Sequence, residues 1–178
     1  MLFRSAALRP YTELEYTKAC RGPVKPVAHE MPWNTAGDRK MIRRINSKTH
    51  QMELPGGFDE GQLNNETREL FGASYYWVMD LAGSMWEKVI TVGDSVGREF
   101  EGQHGDGRVD YYGMANVKGW PSGYGESYGY GYRGGGYYAK AHISEFNPYS
   151  PIAYRLYGAW SGGPRNAAYG YRAARTMD

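Results

Sequence analysis

A tract of glycine and tyrosine constrains the fold of this chain more than any other segment. The 16 residues Gly123–Tyr138 contain seven glycines and six tyrosines. Glycine loses more backbone freedom in a helix than other residues do, so this composition favours turns and extended chain. Glycine is frequent in the chain as a whole, at 25 of 178 residues, which argues against a helical bundle. The sequence predicts a loop-rich α+β fold with few short strands and one or two helices.

The same tract has a second interpretation. Taken alone, a Gly/Tyr tract is typical of disordered or self-associating segments. Its flanks, however, contain the apolar residues Trp120, Ile143 and Phe146, which favour a short strand at about Gly131–Tyr138 inside a folded domain. A chain of 178 residues is long enough to close one hydrophobic core, so a single domain over residues 1–178 is predicted. Self-assembly through the tract stays open as an alternative.

Charge and hydropathy exclude several classes of partner. The chain has 21 basic and 19 acidic residues, and a net charge of +2 is too small for nucleic-acid binding by bulk electrostatics. No apolar run approaches the roughly 20 residues that a membrane span needs. The segment Met1–Pro10 carries Arg4 and Arg9 around too short an apolar stretch for a signal peptide. No nucleic-acid partner and no membrane span are therefore expected, and display on a cell surface or a virion stays open.

The first regular element is predicted at Thr12. The sequence Thr12-Glu13-Leu14-Glu15 has the spacing of a capping box, and Arg21-Gly22-Pro23 provides a cation, a permissive glycine and a helix breaker. Tyr16, Ala19 and Cys20 share one face of the helix between these signals. Cys20 is expected to be a small buried apolar residue and not a reactive thiol.

The densest apolar stretch is Tyr75–Val92, which is predicted to form the core. A turn is expected at Ala82-Gly83-Ser84, and the β-branched run Val89–Val92 predicts a buried strand. Further strands are predicted at about Gly170–Arg175 and, less clearly, at Lys40–Ile45.

Residues suited to catalysis or metal binding form no recognisable motif. The four histidines have no i, i+4 pair, and one cysteine leaves too few thiolates for a cysteine zinc site. The candidate carboxylates are expected to cap turns in preference to forming a hydrolytic pair, although spacing alone does not fix their separation. The histidines are His29, His50, His104 and His142, and the carboxylates are Asp80, Glu87, Asp94, Asp106 and Asp110.

Tyrosine is concentrated late in the chain, where it favours a role in recognition. Thirteen of the 17 tyrosines lie between Tyr111 and Tyr171. Tyrosine offers a large contact area and a polar tip with only two torsions to freeze, which makes it common in binding loops. The alternative is that these rings pack a loop-rich core. The candidate ligand-binding residues are Tyr137, Tyr138, His142, Phe146, Tyr149, Tyr157, Trp160, Asn166 and Tyr169.

Five segments, in order along the chain, resemble the formylglycine-generating enzyme family, also called the sulfatase-modifying-factor domain. They are Leu8–Gly22, Pro32-Trp33-Asn34, Asp80–Glu87, Arg133–Tyr137 and Gly170-Tyr171-Arg172. The resemblance implies a loop-rich variant of the C-type lectin fold, in which the strands that usually precede the Thr-Glu helix are missing here. It also implies a set of residues that hold the scaffold. These are Trp86, Glu87, Arg133, Gly134, Gly135, Arg155, Gly170 and Arg172.

Departures from the family pattern affect the expected activity. The two cysteines that bind copper in the oxidase members fall, by counting, at Ala139 and Ser144. Copper(I) requires soft sulfur ligands, so oxidase activity is disfavoured and no enzymatic activity is expected. Ser84 replaces a calcium-associated asparagine and is a poorer ligand, so no cofactor is expected and a structural calcium ion is in doubt. An enzyme of the same family with an atypical active site is the alternative.

Non-catalytic relatives on this fold include the variable proteins of diversity-generating retroelements, whose C-terminal region is mutagenised at adenines to create a binding face. Mutagenesis of the adenines in Asn-type codons cannot yield Lys, Glu, Gln, Met or Trp. Between Gly134 and Arg175 the chain has only Lys140, Glu145 and Trp160 from this set, which is compatible with such a region. The resemblance thus implies a non-catalytic protein that binds a protein or a glycan through a tyrosine-rich, diversified C-terminal surface.

Overall fold

A computed structural model describes residues 8–33, 44–45, 48–49, 52–53, 59–111, 115–121, 128–136, 149–160, 162 and 167–176. Within these residues the fold is mixed α/β and loop-rich, with short strands and two α-helices. The predicted α+β class is therefore confirmed. None of the helices in the described part of the chain combines the length and the apolar character needed to cross a bilayer.

Helix α1, Glu13–Arg21, begins and ends where the sequence predicts. The Thr12 hydroxyl accepts a hydrogen bond from the Glu15 backbone N–H at 3.2 Å, and the Glu15 carboxylate accepts from the Thr12 N–H at 2.9 Å. These two reciprocal bonds satisfy donors that a helix start leaves without partners. At the other end, Gly22 has a φ of 66° and its N–H donates to the Lys18 carbonyl.

A three-stranded sheet in the order β5-β4-β6 forms the centre of the fold. Strand β4, Trp86–Ile90, runs antiparallel to β5, Tyr130–Arg133, and parallel to β6, Tyr169–Tyr171. Successive side chains of a strand point to opposite faces. The register therefore places Glu87 and Val89 on one face, called the inner face, and Trp86 and Lys88 on the other, called the outer face.

Shorter elements surround this sheet. Strand β1, Arg9–Pro10, pairs antiparallel with β7, Ala173–Ala174, so the early and late parts of the described chain lie side by side. Strand β2, Arg44–Ile45, pairs antiparallel with β3, Met52–Glu53. Helix α2, Ser95–Arg98, follows β4, and a 3₁₀ turn occupies Glu60–Gln62.

The main hydrophobic core lies between α1 and the inner face of the sheet. Its buried members come from the helix, from β4 and from the loops that precede and follow them, namely Tyr11, Tyr16, Cys20, Leu81, Val89 and Ile152. Cys20 is 1% exposed, as expected of a small apolar residue, and burial raises the pKa of its thiol to about 12. A smaller cluster contains Met31, Trp33 and Ala82.

The prediction that all of Tyr75–Val92 is core is wrong at both ends. Tyr75, Tyr76 and Trp77 are 42%, 48% and 38% exposed. They lie in a tight turn in which the Ser74 N–H donates to the Val78 carbonyl, and Trp77 has a φ of 63°. This turn projects the rings outward, and apolar density in the sequence does not reveal it. Met85 and Val92 are each 37% exposed as well.

The predicted strands exist but are shorter or divided. The strand expected at Gly131–Tyr138 is β5, which ends at Arg133 because the φ of 84° at Gly134 breaks the extended chain. The terminal strand expected at Gly170–Arg175 is divided into β6 and β7 at Arg172, whose side chain pairs with Glu87. The buried strand expected at Val89–Val92 begins three residues earlier, at Trp86. Of the predicted strand Lys40–Ile45, only Arg44–Ile45 lies within the described residues.

Candidate ligand-binding surface

Seven aromatic rings of the described residues form a continuous network, called here the aromatic cluster. Trp86 lies 5.5 Å from Tyr149 and 5.2 Å from Tyr157, measured between ring centroids. Trp160 links Tyr157, at 5.8 Å, to Tyr132 and Tyr169, at 5.6 and 6.3 Å. Most pairs are tilted or edge-to-face, the arrangements that aromatic rings prefer. The full set is Trp86, Tyr132, Tyr149, Tyr154, Tyr157, Trp160 and Tyr169.

Both the sheet and one loop segment contribute to the cluster. Each of the three strands contributes one ring of its outer face to the cluster: Trp86 on β4, Tyr132 on β5 and Tyr169 on β6. Trp86 and Tyr169 are directly opposite each other. The segment 149–160 supplies the other rings and is fastened to β5 by a 2.9 Å hydrogen bond from the Tyr132 N–H to the Tyr157 carbonyl. A turn then brings the Trp160 ring back over the sheet. In this turn the backbone N–H of Trp160 donates to the Tyr157 carbonyl at 3.2 Å.

Exposure increases across the cluster from the sheet outward. Trp86 and Tyr132 are buried, at 4% and 5% exposed. Tyr149, Tyr157 and Tyr169 are half-buried, and Trp160 is 43% exposed. The cluster therefore has a packed base and an open rim.

A second group of side chains, the Lys88 patch, lies on the outer face beside the aromatic cluster. It consists of Lys88, Tyr130 and Tyr171. The Lys88 ammonium lies 4.4 Å from the centroid of the Tyr130 ring, within the range of a cation–π interaction. Lys88 is opposite Tyr171 in the register of β4 and β6. Burial lowers the pKa of Lys88 and raises the pKa of Tyr171 to about 12.

Beneath the inner face, one buried carboxylate joins four separate parts of the chain. Glu13 is 1% exposed, and its Oε2 pairs with Arg133 Nη1 at 3.3 Å and with Arg155 Nη2 at 2.7 Å. Its Oε1 accepts from the Val92 N–H at 2.6 Å and from the Thr91 hydroxyl at 3.2 Å. Burial lowers the pKa of Arg133, which is 2% exposed. This network fixes α1, β5 and the segment 149–160 relative to one another.

A second ion pair fastens the end of β6 to β4. The Arg172 Nε lies 2.6 Å from the Glu87 carboxylate, and its Nη2 donates to the carbonyls of Met79 and Asp80 at 2.9 and 3.2 Å. The Tyr11 hydroxyl donates to the same carboxylate at 3.3 Å. Burial raises the pKa of Glu87 although Arg172 opposes the shift.

The glycines expected in the scaffold occupy positions that other residues would not fit. Gly134 has a φ of 84°, and a Cβ there would lie 2.3 Å from the Leu81 carbonyl oxygen. Gly135 also has a positive φ, of 73°. At Gly170, a Cβ would approach the Met85 side chain to 3.2 Å. The first two positions require glycine for backbone conformation, and the third allows β6 to pass close to the loop before β4.

Four of the nine predicted ligand-binding residues lie together in the aromatic cluster: Tyr149, Tyr157, Trp160 and Tyr169. The other five lie outside the described residues, as do Ala139 and Ser144. They are Tyr137, Tyr138, His142, Phe146 and Asn166. Ser84 is half-buried, and no group of three or more His, Cys, Asp or Glu side chains that could hold a metal ion occurs in the part of the chain that the structure describes.

The prediction that the candidate carboxylates cap turns is confirmed at two positions. Asp94 is the N-cap of α2 and accepts from the Val96 N–H at 2.8 Å. Asp106 accepts from the Arg108 N–H at 2.9 Å. Glu87 instead belongs to the ion pair with Arg172 described above.

Sequence reasoning missed four residues of this region. Tyr132 and Lys88 could have been found from period 2, because Tyr130 and Tyr132 alternate with glycines and Lys88 is two residues from Trp86. Tyr154 gives no such signal. Glu13 was considered only as part of the capping box, and its position one turn before Tyr16 on the core face was the available indication.

No family model matches the chain, and no curated protein or solved structure is similar enough to count as a match.

Proposed function

We propose that this chain is a non-catalytic ligand-binding protein whose binding surface is built around the aromatic cluster. One observation carries the proposal: the cluster is graded from the buried Trp86 to the 43% exposed Trp160, on a sheet whose opposite face is fastened by buried ion pairs. Rings held in this way lose little conformational freedom when a ligand arrives, so more of the contact energy is available as affinity.

The finer fold proposed is the C-type-lectin-type fold of the formylglycine-generating enzyme family. The contacts between the resembling segments support it. Glu13 of the first segment pairs with Arg133 of the fourth, and Glu87 of the third pairs with Arg172 of the fifth. In addition, the Tyr16 hydroxyl donates to the Leu81 carbonyl at 2.8 Å. Segments that resemble the family and lie far apart in the sequence are thus in direct contact.

The proposed surface is also a candidate for diversification by a retroelement. Sibling sequences from one source genome test this point. Differences confined to the half-buried tyrosines of the cluster and to the late tyrosine-rich segment are expected. Trp160, which this mutagenesis cannot yield, should be unchanged, as should Glu13, Glu87 and Arg133. Substitutions spread evenly over both faces of the sheet would contradict it.

The binding function is tested by selecting ligands and then changing the rim. A displayed random-peptide library and an array of glycans are probed with the wild-type chain, and affinities of the selected ligands are measured for variants by calorimetry. Trp160→Ala is expected to weaken binding roughly tenfold or more, since it removes a large anchor from the cluster. Tyr76→Ala is the matched control, because Tyr76 is 48% exposed but belongs to the turn on another part of the molecule.

Two results would overturn the proposed function. Selected ligands that bind Trp160→Ala as well as they bind the wild type would show that the cluster is not the site. Stoichiometric copper binding with oxygen consumption on a cysteine-containing peptide would favour the enzymatic alternative instead.

A further inference from the structure

Lys88 has no countercharge in the part of the chain that the structure describes. No carboxylate of the described residues lies within 4.0 Å of its ammonium, which instead lies over the Tyr130 ring. By comparison, Glu13 and Glu87, on the other side of the sheet, are both paired with arginine. A half-buried ammonium with a ring beneath it and no anion nearby has lost water without gaining an ion pair.

Lys88 lies on the outer face of the sheet, next to the aromatic cluster. Lys88 is central in the sheet, opposite Tyr132 on β5 and Tyr171 on β6. Tyr132 in turn contacts Trp160 and Tyr169 of the aromatic cluster. Lys88 is also the only charged residue that the three strands place on this face, which otherwise carries tyrosines, Trp86 and Ile90.

We propose that the outer face binds a protein or peptide partner that places an Asp or Glu carboxylate on the Lys88 ammonium, with apolar side chains of the partner packed on Trp160 and Tyr169. This inference rests on the proposed binding function and names the partner for it. The charge complementarity is specific, because a carboxylate would complete the ion pair that the described residues do not provide.

The composition of the face favours a protein partner over a glycan. A glycan presents many hydroxyl groups, and burying them requires a matching set of carboxylates, amides or other polar partners. Among the described residues the strands offer this face only tyrosine hydroxyls, one ammonium and the indole N–H of the buried Trp86. Aromatic anchors such as Trp160 and Tyr169 are instead typical of the centre of a protein interface.

The experiment uses the full chain and a displayed library of random 12-residue peptides. Selections are carried out in parallel on the wild type, on Lys88→Met, which keeps the length of the side chain without its charge, and on Lys88→Glu. Lys25→Met is the control for loss of one exposed positive charge. Peptides enriched on the wild type are expected to contain Asp or Glu beside apolar residues and to bind Lys88→Met roughly tenfold or more weakly. Lys88→Glu is expected to enrich Lys or Arg instead.

The outcomes separate this inference from the proposed function. Peptides that require Trp160 but bind Lys88→Met and the wild type equally would overturn the role of Lys88 and leave the binding function in place. Peptides that require neither residue, or no enrichment at all, would overturn both. Lys88-dependent binding to sialylated or sulfated glycans on an array, without acidic peptides, would replace the protein partner by an acidic glycan. Lys88→Arg, which keeps the charge, should retain most of the affinity, and thermal unfolding of each variant excludes misfolding as the cause.

Discussion

Replacing Glu13 tests most directly whether buried ion pairs stabilise the part of the fold beneath the proposed binding surface. Glu13→Gln keeps the shape of the side chain and the Oε1 acceptor used by Val92 and Thr91. It replaces Oε2 by an amide nitrogen, which is a donor, next to the donors of Arg133 and Arg155. Arg133 is 2% exposed, so water has little access to replace the carboxylate as its hydrogen-bond partner.

The expected loss of stability arises because Arg133, one partner of a buried ion pair, is left without its countercharge. Such changes cost about 3–5 kcal/mol in the free energy of unfolding. For a chain of this size that corresponds to a decrease in Tm of roughly 6–20 °C, at about 2–4 °C per kcal/mol. Urea unfolding followed by tryptophan fluorescence and thermal unfolding followed by circular dichroism measure it. Glu66→Gln, at an exposed loop position, is the control and should stay within about 0.5 kcal/mol of the wild type.

A loss below about 1 kcal/mol for Glu13→Gln would refute this reasoning, because it would mean that Arg133 does not depend on the carboxylate. A second variant keeps the test informative if Glu13→Gln fails to fold. The double variant Glu13→Gln with Arg133→Met removes both buried charges and keeps the Oε1 acceptor for Val92 and Thr91. It leaves only Arg155, whose side chain is 48% exposed. The double variant should therefore be more stable than Glu13→Gln.

Three further predictions concern single positions. Gly134→Ala should destabilise the chain more than Gly83→Ala in urea unfolding: both have positive φ, a strain of about 1–2 kcal/mol, but only at Gly134 would the Cβ meet a backbone oxygen, at 2.3 Å. Equal losses would mean that the loop at Leu81 moves aside. The Cys20 thiol, with its pKa raised to about 12 by burial, should react with a thiol reagent at pH 8 only after unfolding in urea, and rapid labelling of the native chain would contradict its burial. Thr12→Ala should lower the free energy of unfolding by about 1 kcal/mol through loss of the N-cap bond, and an unchanged urea midpoint would contradict that role.

The sequence predicts those parts of the fold whose determinants are local. The start of α1 depends on a hydroxyl and a carboxylate three residues apart, and its end depends on Gly22, so both boundaries follow from the residues themselves. The end of β5 is less predictable, because a glycine such as Gly134 is compatible with either the end of a strand or a bend within it. The outward rings of Tyr75 and Trp77 are determined by a turn that composition does not encode.

The candidate site is predictable only in part, because its contacts are distant in sequence. Tyr149, Tyr157, Trp160 and Tyr169 were chosen for their residue type, which suits recognition. Their convergence on Trp86 depends on strand pairing between residues more than sixty positions apart in the chain. The partners of Glu13, 120 and 142 residues away, depend on the same long-range pairing. Local sequence cannot determine which of several arginines meets a given carboxylate.

The alternation of side chains along β4 separates the contacts that stabilise the sheet from those of the proposed binding surface. Glu87 and Val89 point to the inner face, where they contact arginine and the core, whereas Trp86 and Lys88 point to the outer face. Substitutions at the rim, at Trp160 for example, leave the inner contacts untouched, so affinity and stability can vary independently there. Trp86 and Tyr132 are different, since their rings are nearly buried and form the base on which the rim packs. Replacing them should therefore lower both stability and affinity, and that joint loss distinguishes the base of the surface from its rim.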